Sequence, residues 1–168
     1  MSRFCSDEEV SVLLAFAQKN GDKFQINPVG PYRKYLTYDS ELCPEIYKIK
    51  LALATYYKIT DFVQDPMLND FIGIVSDGGF VHEHRDSDKL GRIHIRINCL
   101  LQKPVSGGIL LSNEELIPLE EKECWLNFAS RNTHGTSKVI GDRPRIVSSF
   151  GYQVQQKMAD AIYERFNG

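Results

Sequence analysis

The apolar positions of the chain follow one period in its first third and another beyond it. Val10, Leu13, Leu14 and Ala17 fall on one face at helical spacing. Ser6-Asp7-Glu8-Glu9 stands before them as a capping box, with Ser6 able to cap and Glu9 able to reach back. Asn20-Gly21 stops that helix. A second is predicted from Pro44, a residue suited to a first helical turn, with Ile46, Ile49, Leu53, Tyr56 and Tyr57 as its apolar stripe. Between the two, residues 24–38 read as extended chain broken by Pro28, Gly30 and Pro31. Tyr32, Tyr35 and Tyr38 recur there at helical spacing, but the proline and glycine favour an extended backbone and a packing role.

After Pro66 the period shortens to two. Short β-branched and aromatic runs at 71–75, 93–101, 109–111, 124–128 and 145–152 alternate with the turn signals Ser76-Asp77-Gly78-Gly79 and Ser106-Gly107-Gly108. Val154, Met158, Ala161 and Ile162 predict a short helix at the end. The expected class is α+β: an antiparallel sandwich or jelly roll, with the N-terminal helices packed on its outside. At 168 residues a single domain is expected, with 1–70 as helical and extended support, 71–154 as the β core and 155–168 as a terminal helix.

One run alternates without error. Ile93, Ile95, Ile97 and Cys99 take one face, and Arg92, His94, Arg96 and Asn98 the other. A half-solvated surface strand is the usual cause of such a pattern. In a closed sandwich the same polar face would line an anion-binding cavity, and the histidines nearby favour that reading.

Composition narrows the function classes. Hydrophobic residues make up 42% and charged residues 25%, enough for a real core, and the net charge of -2 gives no general attraction for nucleic acid or membrane. The first residues are polar and acidic, unlike a secretory signal, and no apolar run approaches membrane-spanning length. Cys5, Cys43, Cys99 and Cys124 are scattered and form no CxxC pair, so reduced thiols in the cytoplasm are expected and a structural zinc knuckle is not.

The candidate chemistry lies between residues 82 and 145. Alternation puts His84 and Asp86 on the same side of an extended backbone, so an imidazole and a carboxylate can meet at one ion. His134 follows 48 residues after Asp86. Two histidines and a carboxylate on one face of an octahedral ion leave three positions open, the arrangement of non-haem iron(II) oxygenases, although the triplet alone does not exclude zinc. Arg145, eleven residues after His134, opens a strand and offers a guanidinium for bidentate contact with a carboxylate, as one end of a five-carbon diacid requires. Arg143 shares its parity and competes for that role. His82 also has the parity of His84, but an exposed histidine is the commoner case. Trp125 reads as core, and Asn127 as within reach of the cavity.

The ordered series of His84 and Asp86, the paired Gly107 and Gly108, His134 and Arg145 resembles the double-stranded β-helix superfamily of iron(II)- and 2-oxoglutarate-dependent dioxygenases. The resemblance covers residues 71–154, about half the chain. From Arg92 onward it is most similar to the aspartyl/asparaginyl β-hydroxylase branch, with prolyl hydroxylases sharing most of the series. It implies a jelly-roll, cupin-like barrel, with iron(II) held by His84, Asp86 and His134. It further implies 2-oxoglutarate bound by Arg145 at one end and by Arg92 and His94 at the C1 carboxylate. The implied partners are O2 and a second substrate: a peptidyl residue, a free amino acid or a small metabolite. Animal members of that branch lack the carboxylate ligand, whereas Asp86 is present here, and its presence argues against a halogenase. The reading from a different class is a cupin-like metal-binding module with a lyase, isomerase or sensing role, which would not need Arg145.

Overall fold

Two ten-residue antiparallel strands form the spine of the molecule. The computed structural model describes residues 3–167 except 31 and 90. Pro31, expected to break the extended chain, therefore lies outside the described residues, as do Met1, Ser2, Leu90 and Gly168. In chain order the first half runs β1 (Arg3–Phe4), α1 (Asp7–Lys19), β2 (Gln25–Ile26), β3 (Arg33–Tyr38), α2 (Pro44–Tyr56), β4 (Val63–Gln64), β5 (Asp70–Val75) and β6 (Val81–His84). The second runs β7 (Ile93–Gln102), β8 (Ser106–Gly107), β9 (Leu110–Ser112), β10 (Glu115–Ile117), β11 (Glu123–Asn127), β12 (His134–Thr136), β13 (Val139–Ile140), β14 (Arg145–Val154) and α3 (Gln156–Asn167).

The larger sheet has eight strands in the order β1-β11-β7-β14-β5-β3-β2, with β4 added alongside β14. A four-stranded sheet, β10-β9-β12-β6, supplies the other wall of the cavity, and β13 pairs with β8. The larger sheet draws on both sides of residue 70, because β3 pairs with β5 from Arg33↔Val75 to Tyr38↔Asp70. The tyrosine-rich stretch is thus a full strand.

Alternation along β7 and β14 assigns their faces. Ile95, Ile97, Cys99, Leu101, Phe150, Tyr152 and Val154 pack against the helices, meeting Val10 and Leu13 of α1, Ile46, Ile49, Leu53 and Ala54 of α2, and Ala159 and Ile162 of α3. The opposite face carries His94, Arg96, Asn98, Arg145 and Ser149, all buried. The strand is not half-solvated: each face is covered, one by helices and one by the smaller sheet. The capping box forms as expected, with the Glu9 amide donating to Ser6 Oγ at 3.1 Å and the Ser6 amide donating to the Glu9 carboxylate at 2.8 Å. Among the described residues no helix is long and apolar enough to cross a membrane.

One ion pair ties α2 to the sheet. Lys50 Nζ donates to both carboxylate oxygens of Asp70 at 2.9 Å, with both side chains fully buried. Asp70 also accepts from the Gly151 amide at 2.9 Å, and the Tyr152 hydroxyl donates to the Lys50 carbonyl at 2.9 Å. Removing one member would strand a buried charge, which costs about 3–5 kcal/mol, whereas replacing both by apolar side chains of similar volume is often neutral. Asp70→Ala should therefore lower the urea unfolding midpoint sharply, and the Lys50→Met/Asp70→Leu pair should recover most of the loss. A single variant unfolding with the wild-type midpoint would contradict this.

Candidate metal centre

Register brings the two histidines together. His84 ends β6 and His134 begins β12, and they are directly paired across these strands, with ring centroids 4.4 Å apart. Each ring places Nδ1 against the carbonyl two residues before it: His84 against His82 O at 2.8 Å, His134 against Asn132 O at 3.2 Å. With Nδ1–H donating to those carbonyls, both Nε2 atoms keep lone pairs for an ion, the tautomer a metal ligand requires.

Asp86 lies beyond β6 and is held by its backbone amide, which donates to the Ala129 carbonyl at 2.8 Å. One carboxylate oxygen is 3.5 Å from His84 Nε2 and the other 3.9 Å from His134 Nε2. All three donor atoms fall within 4.8 Å of one another. His84 remains substantially exposed, while Asp86 and His134 are mostly covered. The set fits a metal with one side open to incoming molecules.

The three side chains act on one another electrostatically. The hydrogen bond with Asp86 raises the His84 pKa above the ordinary histidine value, against its burial. Burial holds His134 below that value. For Asp86, burial pushes upward, but the His84 hydrogen bond and the charges of His134, His94 and Arg96 prevail and keep it below the usual carboxylate range.

A buried polar network lies behind Asp86. His94 Nδ1 is 3.6 Å from Asp86, and His94 Nε2 is 3.5 Å from Asp65. Arg96 donates to Asp65 at 2.7 Å, to Ser149 Oγ at 2.8 Å and to the Asn69 carbonyl at 3.0 Å. The Ser149 hydroxyl donates to Asn98 at 2.6 Å. Position 151 must be glycine for this packing, since a Cβ there would sit 2.7 Å from the Asp65 Cβ and 2.9 Å from Arg96 Nη1.

The triad opens onto a cavity of about 370 Å³ between the two sheets, lined also by Phe71, Arg96, Asn98, Trp125, Asn127 and Arg145. Arg145 is 6% exposed and has a buried Nε without a hydrogen-bond partner among the described residues. Its guanidinium lies over the Trp125 ring at 5.7 Å. Burial alone draws its pKa down to about 10. The paired glycines make room for this arrangement: a Cβ on Gly108 would sit 3.0 Å from Arg145 Cδ, and one on Gly107 would overlap the Lys138 carbonyl.

The structure thus brings His84, Asp86 and His134 together and turns Arg145 into the cavity. Arg143 points elsewhere, half exposed and paired with Glu121 at 2.8 Å. Trp125 lines the cavity as well as packing against the inner apolar cluster. Two placements depart from expectation. Arg92 does not line the cavity: it precedes the regular strand, in a bridge with Lys89, and its guanidinium lies 4.0 Å from Asp61. His94 is directed inward, but it sits in the network behind Asp86 rather than on the cavity wall. Asp65 was missed by sequence reasoning, because a lone aspartate in Gln64-Asp65-Pro66 reads as turn chemistry. Arg33 of β3, also a wall residue, was hidden in the tyrosine-rich stretch.

No family model and no curated protein matches the chain. Solved structures do. A prolyl-4-hydroxylase from Pseudomonas putida superposes with a TM-score of 0.64 at 13% identity, covering 93% of this chain and 91% of that one. HygX from Streptomyces hygroscopicus, with nickel, 2-oxoglutarate and hygromycin B bound, gives 0.64 at 13%, covering 93% and 82%. The non-haem α-ketoglutarate-dependent epimerase SnoN from nogalamycin biosynthesis gives 0.67 at 14%, covering 89% and 73%. The likeness, at 13–14% identity, is one of fold: the chain is a double-stranded β-helix.

Nickel(II) titration of the metal-free chain by calorimetry should separate ligands from supports. Asp86→Ala should remove tight binding. Asp65→Asn, which acts through Arg96 and His94, should weaken it by roughly 10–100-fold, as loss of an outer-shell partner does. His82→Ala should bind as wild type. Unchanged affinity in Asp86→Ala would dismiss the triad.

Proposed function

We propose that the protein is an iron(II)- and 2-oxoglutarate-dependent oxygenase that hydroxylates a peptidyl residue, a free amino acid or a small metabolite, with release of succinate and CO2. The observation that carries this reading is the pairing of an open two-histidine, one-carboxylate set with a buried, carboxylate-free guanidinium on one cavity wall. His84, Asp86 and His134 would hold iron(II), which supplies O2 activation when bound with the co-substrate.

The remaining work falls to the chain. Arg145 offers parallel N–H donors to the diacid's distal carboxylate. Its burial favours a bound anion, since desolvated charge of one sign calls for the other. The Trp125 ring, 5.7 Å from the guanidinium carbon, offers its face to the Arg145 charge. Asn98 and Asn127 present amide groups to the same space. The network of Asp65, Arg96 and His94 orients the Asp86 carboxylate from behind. Arg92 is not assigned a co-substrate contact, and His94 is assigned a positioning role.

The class accommodates more than one outcome, since folds like this one serve both a prolyl-4-hydroxylase and an epimerase. A cupin-like lyase, isomerase or sensor would leave the Arg145 guanidinium buried without purpose.

The test is 2-oxoglutarate turnover by the iron-loaded chain, followed as O2-dependent succinate release. Arg145→Ala should raise the 2-oxoglutarate concentration needed for half-maximal rate, because losing one partner of a buried charged contact costs about 2–5 kcal/mol, roughly 30-fold or more. Its nickel affinity should stay near wild type. Arg143→Ala, an exposed partner of Glu121, should change neither. No O2-dependent succinate from the wild type would reject the proposal, and a reversed pair of variants would reject the assignment to Arg145.

A further inference from the structure

On the other face of the larger sheet, three of the four cysteines meet. Cys99 of β7 and Cys124 of β11 are directly paired across the strands, and their sulfurs are 2.9 Å apart. Cys5, just beyond β1, is anchored by its amide donating to the Lys122 carbonyl at 2.7 Å and brings its sulfur to 3.2 Å from that of Cys124. All three sulfurs lie within 4.8 Å of one another, and none of the three residues is more than 3% exposed. They belong to the helix-facing core, whereas the neighbouring Asn98 faces the cavity. This cluster is therefore separate from the His84–Asp86–His134 centre, and a role for it is independent of the proposed oxygenase activity.

We propose that Cys5, Cys99 and Cys124 form a three-sulfur binding site for a soft monovalent metal ion, copper(I). Thiolate sulfur selects soft ions such as copper(I), zinc and iron–sulfur clusters. Structural zinc and iron–sulfur centres ask for four protein ligands, and three-ligand zinc asks for a water that this apolar core does not favour. Beyond the three sulfurs the described contacts of the cluster offer only the Lys122 carbonyl, 3.8 Å from Cys124 Sγ. A three-ligand, sulfur-only set in an apolar core suits copper(I).

Charge points the same way. Hydrogen bonds from Cys124 and Cys99 lower the Cys5 pKa below the ordinary thiol range, helped by the Arg3 charge and against its burial. The other two thiols are pushed upward, chiefly by their neighbours in the cluster. The thiolate, not the thiol, is the metal ligand, so Cys5 offers the first ligand and the other two sulfurs lose their protons as they bind. With one thiolate the site is neutral, and each further one adds a negative charge beside Arg3. That arginine is ion-paired with Glu9 at 2.6 Å, yet its Nη1 is buried without a hydrogen-bond partner among the described residues. Binding is a proton-for-metal exchange: each thiol that ligates as thiolate releases one proton, and no electron is transferred. An ion with sulfur bonds of roughly 2.3 Å asks the two close contacts to open by roughly 1 Å. Ligation would also clip the two-residue strand β1 to the sheet.

The test is anaerobic titration of the reduced full chain with copper(I), using bicinchoninate as competing chelator and near-ultraviolet sulfur-to-copper absorption as the signature. One equivalent should bind with that absorption and raise the melting temperature. Cys124→Ala and Cys5→Ala should each lower affinity by more than roughly 100-fold, beyond the usual effect of an outer-shell loss, and abolish the thermal shift. Cys43→Ala should bind as wild type. If Cys124→Ala fails to fold, Cys5→Ala decides, since Cys5 lies outside the regular strands and its folding is checked by circular dichroism. Absence of tight binding by the wild type would overturn the site. So would retention of the sulfur signature in folded Cys5→Ala, or a purified chain whose cluster takes up no copper because two of its sulfurs form a disulfide that reductant does not open.

Discussion

The cavity depends on one constraint: β7 and β14 are covered on both faces, so each polar side chain they carry must find a partner inside the protein or from outside it. Arg96 meets this condition from within, through Asp65, Ser149 and the Asn69 carbonyl. Asn98 does so through Ser149. Arg145 does not, and its burial without a carboxylate is the strongest chemical statement the fold makes about a ligand. The proposed metal centre inherits the same order. Asp86 leans on His94, His94 on Asp65, and Asp65 on Arg96, so a ligand on a loop is supported from the rigid spine.

Much of this was legible in the sequence because it rests on local period. Ile93 to Cys99 alternate without error, and both faces of β7 are what the alternation says. Ser6 and Glu9 form their box because three residues of helix bring them together. His84 and Asp86 do meet, but Asp86 lies past the end of β6 and is held there by its amide on the Ala129 carbonyl. The distal residues were legible only as an ordered series, since register, not spacing, sets His134 opposite His84. Register also explains what was not seen. Arg33 and Tyr35 reach the cavity because β3 pairs with β5, a match that no period within residues 24–38 announces. Arg92 was read as part of β7, but its placement depends on where the strand begins, and element ends are the least certain part of any pattern.

The cysteines are the sharper case. Spacings of 94 and 25 residues carry no ligand pattern, and without a CxxC pair the expectation was reduced thiols and no structural zinc knuckle. Topology adds a proximity that spacing does not show. β1 and β7 both pair with β11, so one residue just past an edge strand and two facing strand positions meet on one side of the sheet. Sequence distance measures the loop that must be closed, not the separation after it has closed.

β7 thereby becomes the partition between two kinds of donor. Its even-numbered residues, His94, Arg96 and Asn98, face nitrogen and oxygen chemistry; its odd-numbered residues run through Cys99, among sulfur. A one-residue slip of the strand would exchange these sets, putting Arg96 among Leu13, Leu53 and Phe150 and a thiol into the cavity. Both faces are buried, so neither exchange can be relieved by solvent. The register of β7 against β14, from Ile93↔Val154 to Cys99↔Ser148, is therefore specified twice over, by charge on one face and by apolar packing on the other. That double specification explains how a chain of 168 residues can hold a wide cavity: the strand that gives up apolar packing on its inner face recovers it against three helices on the outer one.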